Sequence, residues 1–491
     1  LFQVSHRLSP IESIIWRIGY DPDLRMTIGN LMVLDHAPSP ADLIGRLGAL
    51  SKDAPQLRAH PHESALPGFP AYWAKEAAFE ARQHLRKATV PAPGELRNVL
   101  DLLGMIDPLP FEPDHSPWDA TLIDGLADGK AALYLRAHHV LTDGMGGTAI
   151  VHGIFDEARG QSAKATAKHT EPSAGATDKA DGGEVPSGKS PPSLTVTFDV
   201  DRLSRAVQPL VQPLMSNLNA SRLVTQPADA LLRGFQDGLE VASSVSRQAL
   251  IVGGPLASWP DARSVTSRFE VISFPGARSA ALALGGSRST LLVAAVASGL
   301  GLYLERQGQA CQELRLATPA TLRHGRDAGG NWFAPLRIEI PTALGHAGPQ
   351  FGVVGERLAR ARNEPALRVT SALAMAVGRL PTRLLIPALH AQADTVDFAA
   401  TTVPGGRAPR HICGAVVEQS YPFGPRLGCP INISALGNDD RLDIGITLDP
   451  FAITEPERLL DCLQTAFSGF ASSPGPGTEP TSESPALATT T

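Results

Sequence analysis

The chain has 491 residues, of which 43% are apolar and 19% charged, enough apolar content to bury a sizeable core and too much for an intrinsically disordered protein. Its net charge of −6 is spread without a long basic run, so nucleic acid is not an expected partner. No stretch reaches the roughly 18 consecutive apolar residues of a membrane-spanning helix. The first residues, 1–6, lack the basic-then-apolar order of a signal peptide, and because the chain opens on Leu1 rather than Met, the true start is expected to lie elsewhere. The four cysteines, Cys311, Cys413, Cys429 and Cys462, form no CxxC pair. Neither a zinc cluster nor a disulfide framework is expected, and a reducing compartment fits.

Residues 1–158 read as one structured block. Within it, 40–50 has helical spacing, 131–139 alternates as a strand does, and a helix is predicted over 148–158. The stretch 159–193 is rich in Ala, Gly, Ser, Pro, Lys and Thr and almost lacks large apolar side chains, the composition of a flexible linker. Structure is predicted to resume at Leu194 and to run to about residue 472. That block has helices over 227–240 and 455–470, a buried helix over 290–304, and strands over 268–273 and 442–448. The apolar stretch 367–389, interrupted by Arg368, Arg379 and Arg383, reads as core helix, with an acyl-tunnel lining or a membrane-touching face as the other reading. The tail, 473–491, is mostly Pro, Ser, Thr and Glu and is predicted to be disordered. Two blocks of mixed helix and strand predict an α/β protein of two layered domains.

The sharpest local feature is His138-His139-Val140-Leu141-Thr142-Asp143-Gly144. Successive side chains of a strand point to opposite faces. His139 is therefore predicted to share a face with Leu133, Leu135 and Ala137, and His138 with Tyr134 and Arg136. The glycine-rich Asp143–Gly147 segment is expected to break the strand and leave a histidine at the edge of a cleft. An alcohol is a poor nucleophile near neutral pH, and a neutral imidazole, with an ordinary pKa of about 6.5, takes its proton as the hydroxyl attacks. Asp143 acts either directly or structurally; the structural role is favoured, a carboxylate four residues after His139 that binds an arginine and braces the turn, and Gly144 lets the backbone bend. Taken alone, the pair also reads as polar surface or a satisfied core group, and Asp143-Gly144 as an ordinary turn.

The stretch 138–144 matches the HHxxxDG motif of coenzyme A-dependent acyltransferases. More narrowly, the chain resembles the bacterial wax ester synthase/diacylglycerol acyltransferase family, in order, from about Leu8 to Phe470. The resemblance is carried by Pro55-Gln56-Leu57-Arg58; by Pro70-Ala71-Tyr72-Trp73, Phe79-Glu80, His84 and Pro91-Ala92-Pro93-Gly94; and by Ser116-Pro117-Trp118-Asp119 followed by Asp124-Gly125-Leu126. In the second half it is carried by Pro319-Ala320-Thr321-Leu322-Arg323, Gly330-Asn331, Thr402-Val403-Pro404-Gly405, Tyr421-Pro422-Phe423-Gly424-Pro425 and Asn432-Ile433-Ser434. It implies a chloramphenicol-acetyltransferase-like fold, two α/β halves with the active site in a tunnel between them, and His139 as the general base, with His138 and Asp143 of the motif as the other catalytic candidates. It also implies acyl-CoA as co-substrate with no permanently bound cofactor and no metal, and a diacylglycerol or long-chain alcohol acceptor. The expected location is cytoplasmic, with peripheral contact to a membrane or lipid body.

The chain departs from the family where an Asn-Asp pair usually opens the helix at 291–304; here Ser289-Thr290 stand instead. Either hydroxyl is expected to cap the helix, or to help hold the motif or polarise the thioester. Arg323 is a candidate partner for Asp143 or for a cofactor phosphate, and also reads as a structural ion pair. Asn331 is a candidate donor to a substrate carbonyl, and also reads as a turn residue. Two other readings remain: a related acyltransferase with a polyketide or carrier-bound substrate, and a lipid-binding protein that kept the fold and lost the reaction.

Overall fold

The computed structural model describes residues 4–63, 71–76, 78–112, 114–156, 255–260, 263–321, 333–343, 347–363, 381–406 and 409–473. The first part of the chain lays down β1 (Val4–Arg7), β2 (Thr27–Leu34), β3 (Ala59–His62), β4 (Tyr72–Lys75), β5 (Leu85–Thr89), β6 (Trp118–Asp124) and β7 (Ala131–His138), with helices α1 (Pro10–Ile18), α2 (Pro40–Asp53), α3 (Leu96–Ile106) and α4 (Gly144–Gly153). The second part adds β8 (Arg268–Pro275), β9 (Glu313–Thr321), β10 (Phe333–Pro341), β11 (Phe398–Pro404), β12 (His411–Ile412), β13 (Ala415–Phe423), β14 (Ile431–Asn438) and β15 (Arg441–Leu448). Its helices are α5 (Ala277–Ala283), α6 (Arg288–Arg306), α7 (Ala347–Arg362), α8 (Thr382–Ala393) and α9 (Pro456–Ala471).

Among the described residues the strands form two mixed six-stranded sheets, in the orders β12-β13-β2-β7-β6-β5 and β10-β9-β11-β14-β15-β8, and a small sheet β1-β4-β3. This is the α/β arrangement expected. The strands predicted over 268–273 and 442–448 lie inside β8 and β15, the helices predicted over 40–50 and 290–304 lie inside α2 and α6, and the helix predicted over 455–470 matches α9 except that Glu455 is its N-cap. The helix predicted over 148–158 is displaced: α4 begins at Gly144 and ends at Gly153, because Asp143 caps it four residues earlier than the glycines suggested. The stretches 159–193, 227–240 and 474–491 lie outside the described residues. Of 367–389 only the part from Pro381 is described, where Leu385 is buried and Leu384 is 55% exposed.

Helix α6 is the spine of the second half. Residues on all its sides are buried, from Leu291 to Leu304, as expected of a helix enclosed by a core. It crosses α9 closely at Gly299, where an added Cβ would lie 2.8 Å from the Leu463 Cα. Among the described residues no single helix is long and apolar enough to cross a membrane. The pair α5 and α6 would suffice in length and composition, but it is bent by 93°, and α6 is buried in the core.

The two halves are tied by strand exchange. β13 follows the second sheet's β11 in sequence, yet it pairs antiparallel with β2 of the first sheet, from Val417 opposite Leu34 to Phe423 opposite Gly29. The chain then turns back through Gly424 into β14. Asn432 donates to the Pro425 carbonyl at 2.8 Å, and a Cβ at Gly424 would lie 2.6 Å from the Asn432 Oδ1. At the crossing β15 approaches β13 so closely that a Cβ on Gly445 would lie 2.0 Å from the Pro422 carbonyl oxygen. Backbone cannot swing aside as a side-chain end can. Gly445→Ala is therefore expected to destabilise the protein by about 1–3 kcal/mol, read as a lower urea midpoint, whereas Gly129→Ala, with open space around it but a positive φ, is expected to cost about 1 kcal/mol.

Candidate active site

Strand β7 lies between β2 and β6, and the two histidines at its end are each held by one neighbour. His138 N–H donates to the Pro117 carbonyl at 2.9 Å, and His139 N–H donates to the Met26 carbonyl at 2.7 Å. The strand stops at His138, and His139–Leu141 form a single 3-10 turn anchored by the fully buried Val140 and by Leu141.

The two imidazoles have different surroundings. His138 is 6% exposed; its ring packs edge-on against Trp16 at 5.1 Å and Phe111 at 6.4 Å. Its Nδ1 accepts the Val140 N–H at 3.2 Å, so the ring proton sits on Nε2. That Nε2 lies against Gly19, where an added Cβ would be 2.2 Å away. Burial, reinforced by the neighbouring His139, pushes the His138 pKa down to about 3. His138 is thus a neutral internal post whose acceptor nitrogen shapes the turn. His139, the next residue, is partly exposed.

Asp143 is buried and caps α4, accepting the Gly146 N–H at 2.9 Å while its carbonyl accepts the Gly147 N–H at 2.7 Å. Through this cap it braces the turn. Gly144 is the first helical residue rather than a bend beyond the strand. The closer steric demand falls on Gly146, where a Cβ would lie 2.2 Å from the Thr142 hydroxyl. Arg323 and Asn331 lie outside the described residues.

The cap of α6 is Ser287, whose side chain accepts the Thr290 N–H at 3.2 Å. The expectation that Ser289 or Thr290 is the cap is corrected by two to three residues. Thr290 is instead the third helical residue; its hydroxyl pairs with that of Ser287 at 3.0 Å, and its methyl group would meet a Cβ on Gly355 of α7 at 3.5 Å.

Sequence reasoning missed the charge pair beside the motif. Arg136, two residues before His138 and on its face of the strand, is 1% exposed. It grips Asp119 of β6 through two bonds, at 3.2 and 2.5 Å, and donates to the carbonyls of Ile106, Asp107 and Leu109 where α3 ends. An arginine inside an otherwise apolar strand, with a carboxylate beside the Trp118 of the neighbouring strand, was the available signal. Helix α4 in turn packs on β11 of the second sheet, so the motif stands where the two halves meet.

The wax ester synthase/diacylglycerol acyltransferase catalytic-domain model matches residues 8–252, and the C-terminal domain model of the same family matches residues 329–470. The chain belongs to this family. A Mycobacterium tuberculosis protein with a provisional diacylglycerol O-acyltransferase name is 27% identical over 98% of this chain and 95% of its own length. The M. tuberculosis protein tgs1, also provisionally named a diacylglycerol O-acyltransferase, is 23% identical over 91% of each chain. Among solved structures, the wax ester synthase/diacylglycerol acyltransferase from Marinobacter aquaeolei VT8 superposes with a TM-score of 0.59 at 18% identity, over 94% of this chain and 98% of that one. A mutant starter condensation domain of rhizomide synthetase RzmA, solved with C8-CoA, gives a TM-score of 0.55 at 14% identity, over 96% and 97%. The fold is thus shared by this family of acyltransferases and by condensation domains.

Two predictions follow from the surroundings of these residues. The folded His138 binds a proton less readily than the unfolded one, so its contribution to stability is intact above pH 6.5 and is lost as pH falls toward 3. Between those limits the slope from this group is about 1.4 kcal/mol per pH unit; urea midpoints measured from pH 7 to pH 4 should fall less steeply in His138→Gln. For the cap, Asp143→Ala is expected to cost about 1 kcal/mol and Asp143→Asn much less, since asparagine caps as well as aspartate. Equal losses in thermal unfolding would assign Asp143's role to its charge.

Proposed function

We propose that this chain moves a long-chain acyl group from acyl-CoA to diacylglycerol or a long-chain alcohol, giving triacylglycerol or wax ester, with His139 as general base. The observation that supports it most is the contrast between the two motif histidines: His138 is buried and spent on the backbone of the turn, while the adjacent His139 is partly exposed at the end of β7. A base must meet its substrate, and of the two only His139 is open to one.

In this reading His139 takes the hydroxyl proton as the alcohol oxygen attacks the thioester carbonyl. The tetrahedral oxyanion then collapses, the carbon–sulfur bond breaks, and the coenzyme A thiolate leaves and is reprotonated. The thioester is activated enough that no covalent enzyme intermediate is needed, and the reaction uses neither a metal nor a permanently bound cofactor. His138, Asp143 and the Arg136–Asp119 pair hold the turn rather than touch substrate. Contact with a lipid surface is part of the reading. Tyr20, beyond α1, and Leu384 in α8 are 66% and 55% exposed, and the two helices are joined by a 3.1 Å bond from Arg17 to Thr382.

The test is product formation from labelled palmitoyl-CoA with hexadecanol and with diacylglycerol in parallel. Wild type is expected to make wax ester or triacylglycerol, and folded His139→Ala to be slower by about 10²–10⁴-fold. Equal product from both would remove His139 as the base. Acyl-CoA binding without product from any acceptor would favour the lipid-binding reading, and product only from a carrier-bound donor would favour a relative of the condensation domains.

A further inference from the structure

A second group of chemically active side chains, unused by acyl transfer, sits at the start of β6. Glu76, His84 and His115 each offer one ligand atom, and these three atoms all lie within 4.8 Å of one another. The Glu76 side chain is 4% exposed. One of its oxygens is 2.9 Å from His115 Nδ1; the other accepts the Ser116 N–H at 3.0 Å and lies 3.8 Å from His84 Nε2.

His84 decides what the cluster can do. Its ring is stacked on Trp118, with centroids 4.2 Å apart and planes 10° apart, and on Phe79 at 5.0 Å, so it cannot turn away. Its Nδ1 lies 2.8 Å from the Trp118 carbonyl oxygen, and because a carbonyl only accepts, that nitrogen carries the hydrogen. In the neutral ring Nε2 is then a bare lone pair. It is buried, has no hydrogen-bond partner, and faces a carboxylate oxygen too distant for a hydrogen bond. Two electron-rich atoms facing each other out of water repel, and a positive charge between them, a metal ion or a proton on Nε2, removes the repulsion. An imidazole oriented by an Nδ1–H bond to a backbone carbonyl, with Nε2 aimed inward, is also how proteins prepare a metal-ligating histidine.

We propose that Glu76, His84 and His115 bind a divalent metal ion. Two imidazoles and one carboxylate are a donor set that zinc takes, and one that also suits iron(II); zinc is the ion tested. A tetrahedral ion wants the His84 nitrogen and the Glu76 oxygen about 3.4 Å apart, a closure of a few tenths of an ångström from the geometry seen. As the ion enters, the hydrogen of the neutral His115 ring moves from Nδ1 to Nε2 so that Nδ1 can ligate, and the side chain of His115, 34% exposed, leaves a fourth position to water. The ion takes no part in acyl transfer. It fixes residues 115–118, whose Pro117 carbonyl holds the His138 N–H. The expectation of no metal rested on the absence of paired cysteines and on the family resemblance; these ligands contain no cysteine and come from three separate segments.

The experiment uses the full chain, free of any affinity tag and dialysed against metal-free buffer. Elemental analysis is expected to find one zinc per chain, and cobalt substitution to give visible ligand-field bands. Glu76→Gln keeps an acceptor for the Ser116 N–H, and His115→Ala alters a partly exposed side chain; both are expected to fold and to bind zinc about 100-fold more weakly. Wild type that folds with neither zinc nor cobalt bands overturns the proposal, as does a nuclear magnetic resonance titration showing His84 protonated in the metal-free protein at neutral pH. Unchanged zinc affinity in both folded variants overturns it too. Loss of zinc in His62→Ala with retention in Glu76→Gln would move the ion to the neighbouring His60, His62 and Asp114 and overturn this assignment.

Discussion

The pairing of β13 with β2 fixes the positions of the other parts of the motif region. β2 receives β13 on one edge and β7 on the other, with Phe423 opposite Gly29 and Thr27 opposite His138. Because side chains alternate, a one-residue slip in the β2–β7 ladder would turn His138 and His139 inside out. A strand supplied by the second half of the chain covers the other edge of β2, the strand against which the motif strand is registered. The close glycine contacts at Gly424 and Gly445 hold the crossing in place.

That register also explains why two adjacent histidines have different fates. On the inner face His138 meets Trp16, Phe111 and Gly19, and Arg136 on the same face meets Asp119 and the end of α3. A buried guanidinium without its carboxylate would be strongly destabilising, so β6 and β7 are locked by more than their ladder. The partly exposed His139 is displayed by a turn that others hold.

Much of this was legible in the sequence. The alternation before His138 pointed to a strand, and the apolar run over 290–304, too short to span a membrane, to a buried helix. The family was legible because many short segments occur in order, although each alone is weak. What was not legible has a common cause: it depends on partners distant in the chain. The early start of α4 follows from the Asp143 carboxylate, which caps the helix at Gly146. Ser287 caps α6 because its oxygen reaches the Thr290 N–H, a choice that neighbouring hydroxyl residues made ambiguous. The Arg136–Asp119 pair and the strand exchange need a register that no local pattern supplies, and Glu76, His84 and His115 become neighbours only once β6 and the small sheet have formed.

The contact of Thr142 with Gly146 bears on how the motif is bounded. Written as two histidines, three free positions, aspartate and glycine, it suggests that 140–142 tolerate any residue and that nothing beyond Gly144 matters. Here Val140 is fully buried, Leu141 nearly so, and Thr142 leaves space at Gly146 only for a hydrogen atom. The unit under steric selection is nine residues long, from His138 to Gly146, and a side chain added at its far end would push on the same turn that presents His139.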